Sequence, residues 1–219
     1  MAIFVAVSDG FFSMKKYQDQ FFKQAKKDNY PARSVYKLKE MDKKFKFLQP
    51  GQNILDLGAA PGSWSLYLAE KVGVKGQILA VDLNIPEIIF PDQVSFVQGD
   101  VSDQDSEAGI RIRENAPFDL VLSDMAPKTT GIKFTDQARS FILAMEALNL
   151  AKRFLRTNGA FVVKILEGRD IQELQKEMRS LFRKVKHFKP KSSRAESKEI
   201  FLLGMEFYGR ERREPGKEW

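Results

Sequence analysis

Cysteine is absent from the 219 residues and histidine occurs once. A disulfide scaffold is therefore excluded, and a zinc or haem site would have almost no ligands to draw on. Long apolar runs are missing too. The opening AIFVAV falls far short of the roughly 20 apolar residues that span a bilayer, and no basic region precedes it as in a secretory signal. Internal repeats, low-complexity tracts and long linkers are likewise absent. Two phosphate-cradling signatures fail in the same way. The turn GAAPGS at residues 58–63 continues neither as a P-loop nor as the dinucleotide fingerprint G-x-G-x-x-G. The expectation is a cytoplasmic protein with no metal and no membrane segment.

What is present is a chain that is 43% apolar, enough for one domain with its own core. Net charge is +7, and its distribution says more than its sum. Residues 14–46 hold eleven Lys/Arg against four Asp/Glu, a local +7. Residues 183–198 hold seven basic residues and one acidic, a local +6, which leaves −6 for the remainder. Two basic segments thus flank an acidic middle, and a polyanion docking on a surface built from both ends would explain the pattern. Two solvated helix faces would explain it equally well.

Residues 14–29 and 33–46 read as two helices broken at Asn29-Tyr30-Pro31. Beyond them apolar strand candidates follow at 53–57, 77–83, 94–100, 118–124, 159–166 and 199–209. Helical stretches lie between most of them, the longest about 136–156, with Asn158-Gly159 as its stop signal. Another helix covers 169–182, and the stripe Phe141, Leu143, Met145 and Leu148 reads as core. Alternating strands and helices mean an α/β fold, a parallel sheet with helices on both faces. Ligands of such sheets bind beyond the carboxyl ends of the strands. Asp56 and Gly58, Asp82, Asp100, Asp124 and Lys164 all fall at or near those ends. Helix caps or turns would account for any one of these acids, but poorly for all of them.

The turn itself reads D-x-G-x-x-x-G, with Pro61 stiffening it and Gly62 allowing close backbone approach. Asp82 lies 24 residues after Gly58 and could accept both hydroxyls of a ribose, although that suits NAD as well. Asp100 could accept from an adenine amino group while Val101 packs on the ring. Together these features suit an adenosyl ligand without a pyrophosphate, S-adenosylmethionine.

Five stretches in order, RSVYKLKEM (33–41), DLGAAPGSWS (56–65), SDMAPKTTG (123–131), VVKIL (162–166) and KPKSSRAESKEIFLL (189–203), resemble the FtsJ-like RNA 2′-O-methyltransferases. The resemblance covers about residues 14–208. It departs at Ser63, where the family often has a second glycine, and around Lys128–Thr130, where it often has asparagine or serine. The resemblance implies a Rossmann-like methyltransferase fold, a mostly parallel sheet of about seven strands with the last strand antiparallel. It implies an N-terminal extension at 1–13, one domain at 14–210 whose basic residues 14–46 face RNA, and a charged tail at 211–219. Gly58, Pro61, Gly62, Trp64, Asp82, Leu83, Asp100, Val101 and Asp124 would contact S-adenosylmethionine. The catalytic tetrad would be Lys37, Asp124, Lys164 and Glu199.

These residue types suit the chemistry. A ribose 2′-hydroxyl is a very weak acid, so a base beside it matters. Lys164 works as a base only as the neutral amine, a form favoured by burial and a neighbouring ammonium and opposed by Asp124. Lys37 would be that neighbour and would stabilise the developing alkoxide, while Glu199 would orient Lys37 or the ribose. The substrate implied is a uridine of large-subunit ribosomal RNA, modified by a monomer. A transfer RNA anticodon loop is the alternative substrate. A catalytically inactive RNA-binding assembly factor is the alternative class, although such a factor has no need of Lys164.

Overall fold

Strands buried on both faces have to be apolar along their whole length. NILDL and FDLVLS are buried almost throughout and apolar apart from Asn53, Asp56, Asp119 and Ser123. The computed structural model describes residues 20–194 and 196–209, so the expected extension 1–13 and tail 211–219 lie outside the described residues. Seven strands form one sheet: β1 Asn53–Leu57, β2 Gln77–Asp82, β3 Val94–Gln98, β4 Phe118–Ser123, β5 Leu155–Leu166, β6 Phe182–Phe188 and β7 Glu199–Phe207. Their spatial order is β3-β2-β1-β4-β5-β7-β6. The first five pair in parallel, whereas β7 runs antiparallel between β5 and β6. This is the expected Rossmann-like sheet, mostly parallel and finished by antiparallel strands.

Residues 20–27 are helical (α1), followed by α2 Val35–Phe45, α3 Ser63–Val72, α4 Glu107–Asn115, α5 Lys133–Phe154 and α6 Ile171–Leu181. Side chains alternate across a strand, so each strand feeds two cores. Leu55, Leu57, Leu79 and Val81 join α4, α5 and α6 on one face. Ile54, Ile78, Leu120 and Leu122 join α2 and α3 on the other. Asn29, at φ +60, breaks the chain between α1 and α2 just before Pro31, where the sequence placed the break.

Two expectations need correction. Asn158-Gly159 does not stop a helix, because α5 ends at Phe154 and passes directly into β5. The pair instead forms the irregularity where β5 shifts register against β4. Asn158 adopts φ +64, which asparagine tolerates, and a Cβ on Gly159 would lie 2.8 Å from the Arg156 carbonyl oxygen. The second correction is β6, which the sequence showed only as part of a basic segment. Its pattern FRKVKHF is largely exposed because it is the sheet's edge, so no alternating apolar signal marks it.

Candidate active site

The β1–α3 turn closes against the loop after β4. Gly58 has φ +77, and a Cβ there would come within 2.8 Å of the Met125 backbone nitrogen. Asp82, ending β2, ties the same turn down: its carboxylate accepts from Ala60 N–H at 2.9 Å and from Asn84 N–H at 2.8 Å. Beyond these strand ends lies a cavity of about 430 Å³. Gly58, Asp82, Leu83, Asp100, Val101 and Asp124 all line it. Asp100 is held below the usual carboxylate range by the Ser102 hydroxyl and backbone N–H. Three residues of the expected set are not among its lining. Pro61 is exposed, Gly62 packs against Ile88 and Phe90, and Trp64 is 3% exposed. The Trp64 indole packs on Phe201 and donates its N–H to the Ser34 carbonyl at 3.0 Å.

Charge decides what such a cavity accepts. Asp82, Asp100, Asp124 and Glu146 line it, with no lysine or arginine among the described residues. A polyphosphate would meet only repulsion there, whereas a cation with hydroxyl donors would be drawn in.

Beside the cavity stand two lysine–carboxylate pairs. Ser123 and Val163 face each other across the parallel β4–β5 pair, so Asp124 and Lys164 emerge together. The Lys164 ammonium donates to the Asp124 carbonyl oxygen at 2.6 Å. Its 2.9 Å approach to Asp124 Oδ1 is a charge contact, poorly angled for a hydrogen bond. The Lys164 side chain is only 6% exposed. Across the antiparallel β5–β7 pair, Glu199 sits opposite Leu166, and Lys37 from α2 meets it at 2.6 Å. Burial pushes the Glu199 carboxyl up, but Lys37, with help from Lys164 and Ser197, overcomes this and holds it low. The four tetrad residues thus come from α2, β5, β7 and the end of β4, elements distant in sequence.

A family model for FtsJ-like methyltransferases matches residues 30–207. The chain belongs to the FtsJ-like methyltransferase family. A relative named ribosomal RNA large subunit methyltransferase E, from Oleidesulfovibrio alaskensis, is 57% identical over 90% of this chain and 95% of its own length. One of the same name from Lawsonia intracellularis is 52% identical over 89% of this chain and 97% of its own. A solved structure from Plasmodium falciparum, described as a ribosomal RNA methyltransferase, superposes with a TM-score of 0.74 at 30% identity. That match covers 83% of this chain and all of the other.

The cavity is also lined by residues that sequence reading did not place at a site. Met125, Leu143 and Glu146 line the cavity, although Leu143 read as core. Their only sequence signal is helical spacing, since Leu143 and Glu146 stand three apart on α5. Beneath the cavity floor Asp56 is fully buried, its Oδ2 accepting from Ser65 Oγ at 2.6 Å. Burial drives its carboxyl up to about 7 despite that hydrogen bond, and Asp124 and Asp82 add repulsion. No group of three or more metal-ligating side chains clusters among the described residues. Among them, too, no helix is long and apolar enough to cross a membrane.

Proposed function

We propose that this protein transfers the methyl group of S-adenosylmethionine to the 2′-hydroxyl of a ribose in large-subunit ribosomal RNA, at a uridine. The observation that carries the reading is the buried Lys164–Asp124 pair, whose Asp124 lines the acidic cavity, with the Lys37–Glu199 pair near enough for Lys164 to act on Glu199. The rRNA methyltransferase relatives support the substrate. The cavity's fit to the donor rests on its charge. S-adenosylmethionine carries a sulfonium, an ammonium and one carboxylate, a net positive charge with no phosphate, and four carboxylates line the wall. Asp82 would hold the ribose hydroxyls, and Asp100 with Val101 would hold the adenine. Asp124 would lie near the methionine end.

S-adenosylmethionine supplies a methyl group already activated for in-line displacement. The protein's share is to position the acceptor and remove its proton. Lys164, as the neutral amine, takes the 2′-hydroxyl proton while the ribose oxygen bonds to the methyl carbon and the sulfur–methyl bond breaks. Asp124 holds the Lys164 nitrogen through its carbonyl and carboxylate. Lys37 stabilises the developing alkoxide, and Glu199 fixes Lys37. The protein acts as a monomer in the cytoplasm without a metal ion. Residues 14–210 serve as one domain whose basic residues 14–46 face the RNA.

Mapping ribose methylation in ribosomal and transfer RNA, from cells with and without the gene, tests this reading. The expected result is loss of one 2′-O-methyl mark in large-subunit RNA, restored by adding the purified protein. Loss of an anticodon-loop mark instead would move the substrate to transfer RNA.

A further inference from the structure

The two basic segments meet on the α2 side of the molecule. Glu40 accepts from the backbone N–H groups of Lys191 at 2.7 Å and Ser192 at 2.8 Å, and Arg33 donates to the Ser192 carbonyl at 2.6 Å. These bonds hold the loop after β6 against α2. Beside them opens a groove of about 640 Å³ that shares no lining residue with the acidic cavity. Lys39, Lys43, Lys44 and Lys191 line it. Its single lining carboxylate, Glu40, already accepts backbone N–H groups with both oxygens. The groove is therefore strongly positive.

Its walls are aromatic. Phe21 and Tyr36 contribute rings whose centroids lie 5.2 Å apart, and Phe188 stands edge-on to Phe45 at 5.7 Å. Lys44 Nζ sits 4.9 Å from the Phe188 ring centre, and Lys39 Nζ lies 5.5 Å from that of Tyr36. Lysines interleaved with aromatic faces match a single nucleic-acid strand, whose phosphates take the cations and whose unstacked bases take the rings. A duplex would use the lysines but leave the rings without a partner. The groove also lies on the helix that carries Lys37. At 1.5 Å per residue, Lys43 and Lys44 are roughly 10 Å along α2 from it.

We propose that this groove binds an unpaired stretch of the RNA substrate close to the acceptor ribose. The proposal rests on the RNA-methylating reading above. It deepens that reading by adding a second anchor whose loss should affect RNA capture and leave the chemistry alone.

The test is a triple variant, Lys43→Gln, Lys44→Gln and Lys191→Gln, all at exposed positions. Its control is Lys75→Gln, Lys176→Gln and Arg179→Gln, which removes the same charge at exposed positions outside the groove. The groove variant should raise KM for RNA roughly tenfold or more, and its salt slope should fall by about 2, at about 0.7 per lost single-strand contact. Its kcat at saturating RNA and its S-adenosylmethionine affinity should match wild type. Single-stranded competitor should displace bound RNA better than a duplex of the same length. A groove variant matching the control in KM and salt slope, beside an active wild type, overturns the groove and leaves the reading intact. Equal competition by duplex overturns the single-strand assignment. A wild type that methylates no RNA overturns the reading, and the groove's role with it.

Discussion

Lys164 is an ammonium inside the apolar run AFVVKIL of β5, and burial of that kind is costly unless the charge is paired. Asp124 supplies the pairing twice, with a backbone carbonyl and a carboxylate, so the nitrogen has little freedom to move. That rigidity suits a base better than an RNA-gripping cation, which works from an exposed, mobile side chain. Lys164→Ala should retain S-adenosylmethionine affinity yet lose about 10²–10⁴-fold in single-turnover methyl transfer, the usual worth of a positioned base. Lys164→Arg should be nearly as poor, because a guanidinium stays protonated and cannot accept the proton. Single-turnover rates of the three proteins decide the matter. An active arginine variant would mean that Lys164 contributes charge alone.

The β1–α3 turn acts as a unit, with Gly58 pressed on Met125, Asp82 clamping Ala60, and Gly62 packed under Ile88 and Phe90. Any side chain at Gly58 must displace the backbone that forms the cavity's opposite wall. Gly51 makes a fair comparison, since it shares a positive φ of +79 but an added Cβ there meets nothing nearer than 4.0 Å. Gly51→Ala should therefore cost only the left-handed strain, about 1–2 kcal/mol, and leave ligand affinity alone. Gly58→Ala should lose stability and also weaken S-adenosylmethionine binding by roughly tenfold or more, as backbone displaced from the cavity wall loses contacts. Thermal melts and calorimetry on both variants separate strain from wall damage. Wild-type affinity in Gly58→Ala would show that the turn does not shape the cavity.

At the scale of the whole molecule, one buried carboxyl links pH to stability. Asp56 sits mid-sheet with its carboxyl raised to about 7 by burial, against roughly 4 in an unfolded chain. Below about pH 4 both states hold the proton, and this group's contribution is complete. Between about 4 and 7 only the folded state keeps it, so stability is lost as pH rises through the folded value. Asp56→Asn cannot titrate and lacks that loss. Without ligand, the melting temperature of wild type relative to Asp56→Asn should fall from pH 5 to pH 7 and level off towards pH 8. A difference that stays constant over that range would show that Asp56 does not hold its proton in the folded state.

Much of this was legible before any coordinates. β1, β2, β4 and β5 are buried runs whose apolar composition is local, so windows of sequence revealed them, together with the acids at their carboxyl ends. Two residues of the proposed tetrad stand in local patterns that resemble the family, Asp124 in SDMAPKTTG and Lys164 in VVKIL. Other features depend on pairing between distant residues, which no local window contains. β6 is an edge strand whose exposed lysines hide it, and only its pairing with β7 makes it a strand. Trp64 faces Phe201 in the core, away from the cavity, because α3 packs its buried side on the sheet face shared with α2. Asn158-Gly159 is a break in register, a property of two strands together. The two basic segments were visible as charge, but their union through Glu40 and Ser192 was settled by tertiary packing, which brings residues 152 positions apart into hydrogen-bond contact.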